Sequence, residues 1–179
     1  MRLILFLFLL FVVSGSIAQV YKPQSQHSTV SFGIKMLGSQ VKGTLSGLNG
    51  TIQFDPANLG ASKMEVTLDA KTINTGVDMR DEHLRDEDFF NTSKYPLIQF
   101  SSNRIVRANR KNTWYVYGIL TMKGVQKAVE FPFTAVPEAE GYWFNAQFKI
   151  NRRDFNVGES SVTMADLVVV TLNVKALKG

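Results

Sequence analysis

Cysteine is absent from the 179 residues, and histidine and tryptophan occur only twice each. Without cysteine there is no disulfide framework, no thiolate metal site and no thiol nucleophile. Neither His27 nor His83 has a metal-ligand partner at helical spacing, and there is no His-Glu-x-x-His zinc motif. No Gly-x-Ser-x-Gly elbow occurs. The glycines Gly43, Gly47 and Gly50 lack the Gly-Lys-Ser/Thr ending of a phosphate loop. The acids Asp78, Asp81, Glu82, Asp86, Glu87 and Asp88 do not have calcium-loop spacing and read as a solvated helix face. Together these absences remove the commonest hydrolytic, redox and metal chemistries, and the chain is read as not an enzyme and as holding no metal or resident cofactor.

Long apolar runs are also scarce. Leu3 to Val13 is unbroken but too short to span a bilayer. It follows Met1-Arg2 and precedes Ser16-Ile17-Ala18, so residues 1–18 read as a secretory signal cleaved before Gln19. The expectation is one domain, 19–179, in the periplasm or outside the cell, and no cysteine follows the run to take a lipoprotein anchor. Without Arg2 the net charge is about +4, on scattered lysines and arginines. A nucleic-acid surface needs a basic stripe, which is missing. Weak attraction to an anionic membrane surface suits the charge better.

What remains is dominated by alternation. Val30, Phe32, Ile34 and Met36 share one face of a strand; Met64, Val66, Leu68 and Ala70 share another. The same period places Trp114, Val116, Gly118, Leu120 and Met122 together, then Val129, Phe131 and Phe133, then Phe144, Ala146, Phe148 and Ile150, and last Val168, Val170, Leu172 and Val174. Leu97 to Val106, which holds Phe100, is a further strand. Asn49-Gly50 reads as a hairpin turn splitting Val41–Leu48 from Gly50–Asp55, and Lys123-Gly124 as a second tight turn. Pro132 points to an edge or a bulge. About eight strands joined by short turns predict an all-β antiparallel barrel or sandwich. Its apolar inner faces leave two alternatives open, a solid core or an apolar cavity.

One stretch breaks the pattern. Residues 78–90 predict a short helical segment, with Asp78 as its cap and acids in its first turn. Arg80, Asp81 and His83 stand there beside Phe89 and Phe90. Two readings apply. Arg80 and Asp81 tie the helix to neighbouring strands and His83 is a satisfied hydrogen-bonding residue. Alternatively the three form a polar rim over a cavity, donating to a head group while the aromatics receive a tail.

The motifs Thr75-Gly76, Arg80-Asp81, His83-Leu84, Asp88-Phe89-Phe90, Tyr95-Pro96 and Phe100-Ser101-Ser102 resemble those of the YceI-like family of lipocalin-like, polyisoprenoid-binding proteins. Gly118 to Val125, Ile150 to Phe155, Ser28 to Phe32 and Val41 to Asp55 add to the resemblance. Lys35, Leu45 and Leu48 depart from it, standing where histidine and phenylalanines are common. The resemblance implies an exported eight-stranded antiparallel barrel, monomer or homodimer, binding an isoprenoid lipid such as a quinone or prenyl phosphate for transport or storage. The candidate lining, taken from the inward faces and the helical segment, is Phe32, Ile34, Val66, Leu68, Phe89, Phe90, Phe100, Val116, Phe131, Phe144, Ala146, Phe148 and Val170, with Arg80, Asp81 and His83 as the rim. Competing readings are a packed structural or stress-response barrel, and an enzyme on a lipid-like substrate using His83 as acid or base.

Overall fold

The computed structural model describes residues 19–179, so the proposed signal segment lies outside the described residues. Nine strands follow in order: β1 (Val20–Pro23), β2 (Thr29–Met36), β3 (Ser39–Gln53), β4 (Lys63–Asn74), β5 (Leu97–Arg107), β6 (Thr113–Met122), β7 (Val125–Glu138), β8 (Gly141–Asn151) and β9 (Met164–Lys178). The strands β2 to β9 pair with their sequence neighbours, always antiparallel, and β9 returns to β2 to close an eight-stranded barrel. The short β1 lies between the far ends of β3 and β9 and completes the wall there. Closure leaves few free edges open to pairing with another chain.

The alternation read from the sequence is the barrel's in-and-out pattern. Two hairpins are two-residue turns with left-handed backbone: Leu37-Gly38 (φ 50° and 78°) and Lys123-Gly124 (φ 50° and 74°). Asn49-Gly50 is not a turn. It lies inside the fifteen-residue β3, where the pairing with β4 shifts between Thr44 and Ser46 and again between Ser46 and Asn49. Gly50 has φ 124°, and a Cβ there would lie 2.1 Å from the Glu65 carbonyl oxygen. The bulge lies before it, between Thr44 and Asn49, where Gly47 has φ 71°, and Gly50 is needed for the close approach of β4, a demand that looks like a turn signal in sequence.

The helical segment is shorter than expected. The helix α1 runs from Asp78 to Arg85, and residues 87–90 are turns. Val77, not Asp78, is the cap residue, and it makes no side-chain cap bond. Asp81 does the work instead. Its buried carboxylate reaches back to accept from the Thr75 amide (2.8 Å) and the Thr75 hydroxyl.

The interior has two apolar clusters. At the end holding β1, Phe54 is 1% exposed and meets Trp114, Phe133, Tyr142 and Phe144 edge-on, with centroids 5.1–5.8 Å apart. Edge-to-face aromatics add to area burial, so this plug is firm. At the α1 end, Ile98, Leu120, Met122, Phe155 and Val157 form the second cluster, with Phe89 and Phe90 packed on it. The aromatic plug fills the β1 end, whereas at the α1 end the inward Phe32, Ile34, Phe148, Val168 and Val170 remain half-buried.

Candidate functional site

An apolar cavity of about 160 Å³ lies between the two clusters. Its walls include Phe32, Leu45, Leu48, Met64, Val66, Leu68, Phe100, Leu120, Val129, Phe131, Ala146, Phe148, Val170 and Leu172. No charged side chain lines it; Ser31, Thr67, Gln99 and Asn145 are its only polar residues. The choice between core and cavity that the sequence left open is thus resolved as both: a packed β1 end and a hollow centre. An apolar cavity of about 150 Å³ stays dry and accepts a benzene-sized molecule, so this one is ring-sized as folded. A chain of about forty carbons would have to part the walls, because protein interiors are otherwise close-packed.

Nine of the lining residues expected from sequence are in these walls: Phe32, Val66, Leu68, Phe100, Phe131, Phe144, Ala146, Phe148 and Val170. Four are not. Val116 is fully buried within the aromatic cluster. Ile34 lies two residues closer to the α1 end than Phe32 and is half-buried outside the cavity. Phe89 and Phe90 cover the second cluster from outside. Face periodicity identifies the inward set but not the packing around each residue, which separates those that reach the cavity from those that are covered. Leu45, Leu48, Met64, Leu120, Val129, Ile150 and Leu172 were missed, although most stand on faces the alternation had marked as inward.

The polar rim is not there. The Arg80 Nε donates to the Thr75 hydroxyl (2.8 Å) and its Nη2 to the Thr75 carbonyl (3.2 Å). Asp81 is held by the same threonine. These two residues organise the Thr75-Gly76 bend that starts α1, the structural alternative stated above. His83 is exposed, 3.8 Å from Asp86 and edge-on to Phe89 at 4.9 Å. None of the three lines the cavity. Arg85, which sequence reasoning passed over, anchors α1 by donating to the carbonyls of Lys71 (2.8 Å) and Ile73 (2.9 Å).

The motifs dispersed along the sequence meet at the α1 end. The Lys123 ammonium donates to the Asn156 carbonyl (2.7 Å) and the Asp88 carbonyl (3.2 Å), while the Gly158 amide donates to Asp88 (2.9 Å). Tyr95 packs so closely on Gly124 that a Cβ there would come within 2.7 Å of its ring. Arg152 is 4% exposed and donates to the carbonyls of Val157, Glu159 and Ala165 and to the Asp166 carboxylate (2.8 Å). Burial pulls its pKa below the ordinary guanidinium value, and Asp166 opposes that pull. The shared motifs therefore build the cap of the barrel and hold its loops.

A closed antiparallel barrel packed at one end, with an uncharged hollow centre, defines a small-cavity β-barrel. Residues 21–176 match the YceI-like domain, and the chain belongs to that family. It is 34% identical over 158 residues to Protein YceI of Escherichia coli O6:H1, covering 83% of this chain and 82% of that protein. It is also similar to Burkholderia cenocepacia BcnA, with TM-score 0.81 and 26% identity over 85% of this chain and 98% of that one. A polyisoprenoid binding domain from Saccharophagus degradans, implicated in plant cell wall breakdown, shares the fold: TM-score 0.73 and 16% identity, covering 90% of this chain and 99% of that domain.

Proposed function

We propose that this chain is a carrier for a single-chain, isoprenoid-type lipid or quinone, exported to the periplasm or the cell exterior. The observation that carries the reading is the cavity, enclosed by apolar walls with no charge facing it. Such a site rewards burial of a hydrocarbon tail at about 25 cal/mol per Å² and offers nothing to a charged metabolite. The binding named for the Saccharophagus domain is consistent with this and does not itself assign the ligand. A reacting group is not part of the proposal: His83, the residue an enzyme reading would use, stands outside the barrel interior.

Lipid exchange also needs contact with a membrane. At the α1 end Leu37 (71% exposed), Met79 (81%) and Val162 (105%) project from three different connections of the barrel. They form a set of apolar points that suits brief insertion among lipid head groups. The test is native mass spectrometry of protein purified from its own host, followed by delipidation and re-addition of an isoprenoid quinone. Bound lipid, and a melting temperature that rises with added quinone, are expected because a ligand that binds the native state stabilises it. A protein that is always empty and whose melting temperature ignores added quinone refutes the carrier reading.

A further inference from the structure

With the β1 end plugged, the cavity has to be reached from elsewhere. The barrel wall is continuous through every hairpin except one. The pairing of β7 with β8 runs from Glu138 opposite Gly141 back to Phe133 opposite Ala146, and stops. Beyond that point β7 is held only by β6, through Val125, and β8 only by β9, through Asn151.

The next residue of β7 is Pro132. In a two-residue hairpin the residues flanking the turn form a hydrogen-bonded pair, and such pairs recur at every second position. From Glu138 opposite Gly141, the series places Val136, Thr134 and then residue 132 with their N–H groups toward β8. Proline has no N–H, so the bond that would continue the zipper cannot form, and Pro132 sits on a local edge inside a closed barrel. The proline that looked like an edge signal in sequence is the residue at which the wall divides.

Below Pro132 the split widens into an opening of about 250 Å³. Val129, Phe148 and Ile150 line both this opening and the central cavity, so these three side chains are the partition between the two. Lys127, Glu130, Lys149 and Asp154 stand at the opening and give it a polar mouth over an apolar throat. The turn Arg152–Phe155 closes its lower edge. Across the top of the split, Phe131 and Phe148 stack with centroids 4.1 Å apart and planes 9° from parallel. Side-chain stacking replaces backbone pairing there, and rings can turn aside where a ladder cannot. The opening is at the same barrel end as Leu37, Met79 and Val162.

We infer that the split between β7 and β8 is the window through which a lipid tail enters and leaves the barrel, with the Phe131–Phe148 stack as its gate and the polar mouth as the resting place of the head. What passes through it rests on the carrier reading; the existence of the passage does not. Two experiments separate them. The first uses no lipid. Ala146→Cys places a thiol on the cavity wall of a protein that has no other cysteine, and its reaction with N-ethylmaleimide is timed. The expectation is modification far faster than global unfolding, slowed at least about tenfold when Pro132→Val restores the missing donor. A thiol that reacts only at the unfolding rate overturns the window.

The second covers the case in which Pro132→Val does not zip. Glu130→Cys and Lys149→Cys, both outward-facing, are bridged across the split by a short bis-methanethiosulfonate, and release of preloaded N-phenyl-1-naphthylamine is followed by fluorescence. Bridging is expected to slow release at least about tenfold, whereas the same bridge between Val136→Cys and Trp143→Cys, where the strands are paired, leaves it unchanged. Equal release from both bridged proteins overturns the proposal. Failure of the probe to bind at all counts against the carrier reading and leaves the thiol experiment to decide the window.

Discussion

Ala146→Phe is the substitution that tests the hollow centre directly. Ala146 projects from β8 into the cavity, one pair short of where the wall divides. The change adds one phenyl ring, and an apolar cavity of about 150 Å³ is large enough for benzene, against about 160 Å³ here. In a packed core the same ring costs about 1–3 kcal/mol through forced rotamers and shifted backbone. In this barrel it enters empty space and buries aromatic surface, a gain of about 1.5–3 kcal/mol for a fully buried side chain. The sign of the stability change therefore distinguishes the two interiors. For a domain of this size about 1 kcal/mol shifts the melting temperature by about 2–4 °C, so an increase of several degrees is expected for the delipidated protein. Quinone binding, titrated on the same sample, should fall at least about tenfold because the tail's space is taken. A lowered melting temperature would refute the hollow interior. Unchanged quinone affinity in a stable variant would move the lipid site elsewhere.

The remaining expectations concern the frame. Gly50→Ala forces a Cβ against the Glu65 carbonyl in a backbone conformation that suits glycine, and should cost about 3 kcal/mol or more by urea unfolding. Arg152→Met leaves three carbonyls without their donor and Asp166 without its partner, a loss of about 3 kcal/mol that should also speed proteolysis of the loop at residues 156–163. Asp81→Ala should destabilise by about 1–3 kcal/mol because the Thr75 amide loses its acceptor, whereas His83→Ala should change neither melting temperature nor quinone affinity. Tyr21 has its pKa raised above 10.0, first by burial and then by Tyr142 and Asp55. Its neutral form is thus favoured in the folded state, its contribution is complete below the ordinary tyrosine pKa, and it is lost as pH climbs past that value toward the raised one. Tyr21→Phe should therefore flatten the decline of stability above about pH 10.

Strand periodicity is a local property, and the inward faces of β2, β4, β6, β7, β8 and β9 were legible because burial on one side imposes alternation on every strand of a barrel. Two residues of the family motifs meet local demands, Asp81 on Thr75 and Arg152 on the loop that follows it, whereas Lys123 reaches Asp88 and Asn156 across the cap. Other features depend on relations between strands. Gly50 carries the residue signature of a turn, and only its closeness to Glu65 shows why a strand needs the glycine there. Val116 and Phe131 pair at the same level of the barrel, and only the packing around them decides that Val116 is covered while Phe131 reaches the hollow. Arg80 and Asp81 read as a rim because charge in an apolar neighbourhood suggests a ligand, yet their side chains are spent on Thr75. The cavity is the volume left between eight strands, set by how their side chains meet across the interior, and no single stretch encodes it. Pro132 was visible as a break in a ladder, but that its missing donor faces β8 rather than β6, and so opens the barrel, follows only from the register of the closed sheet.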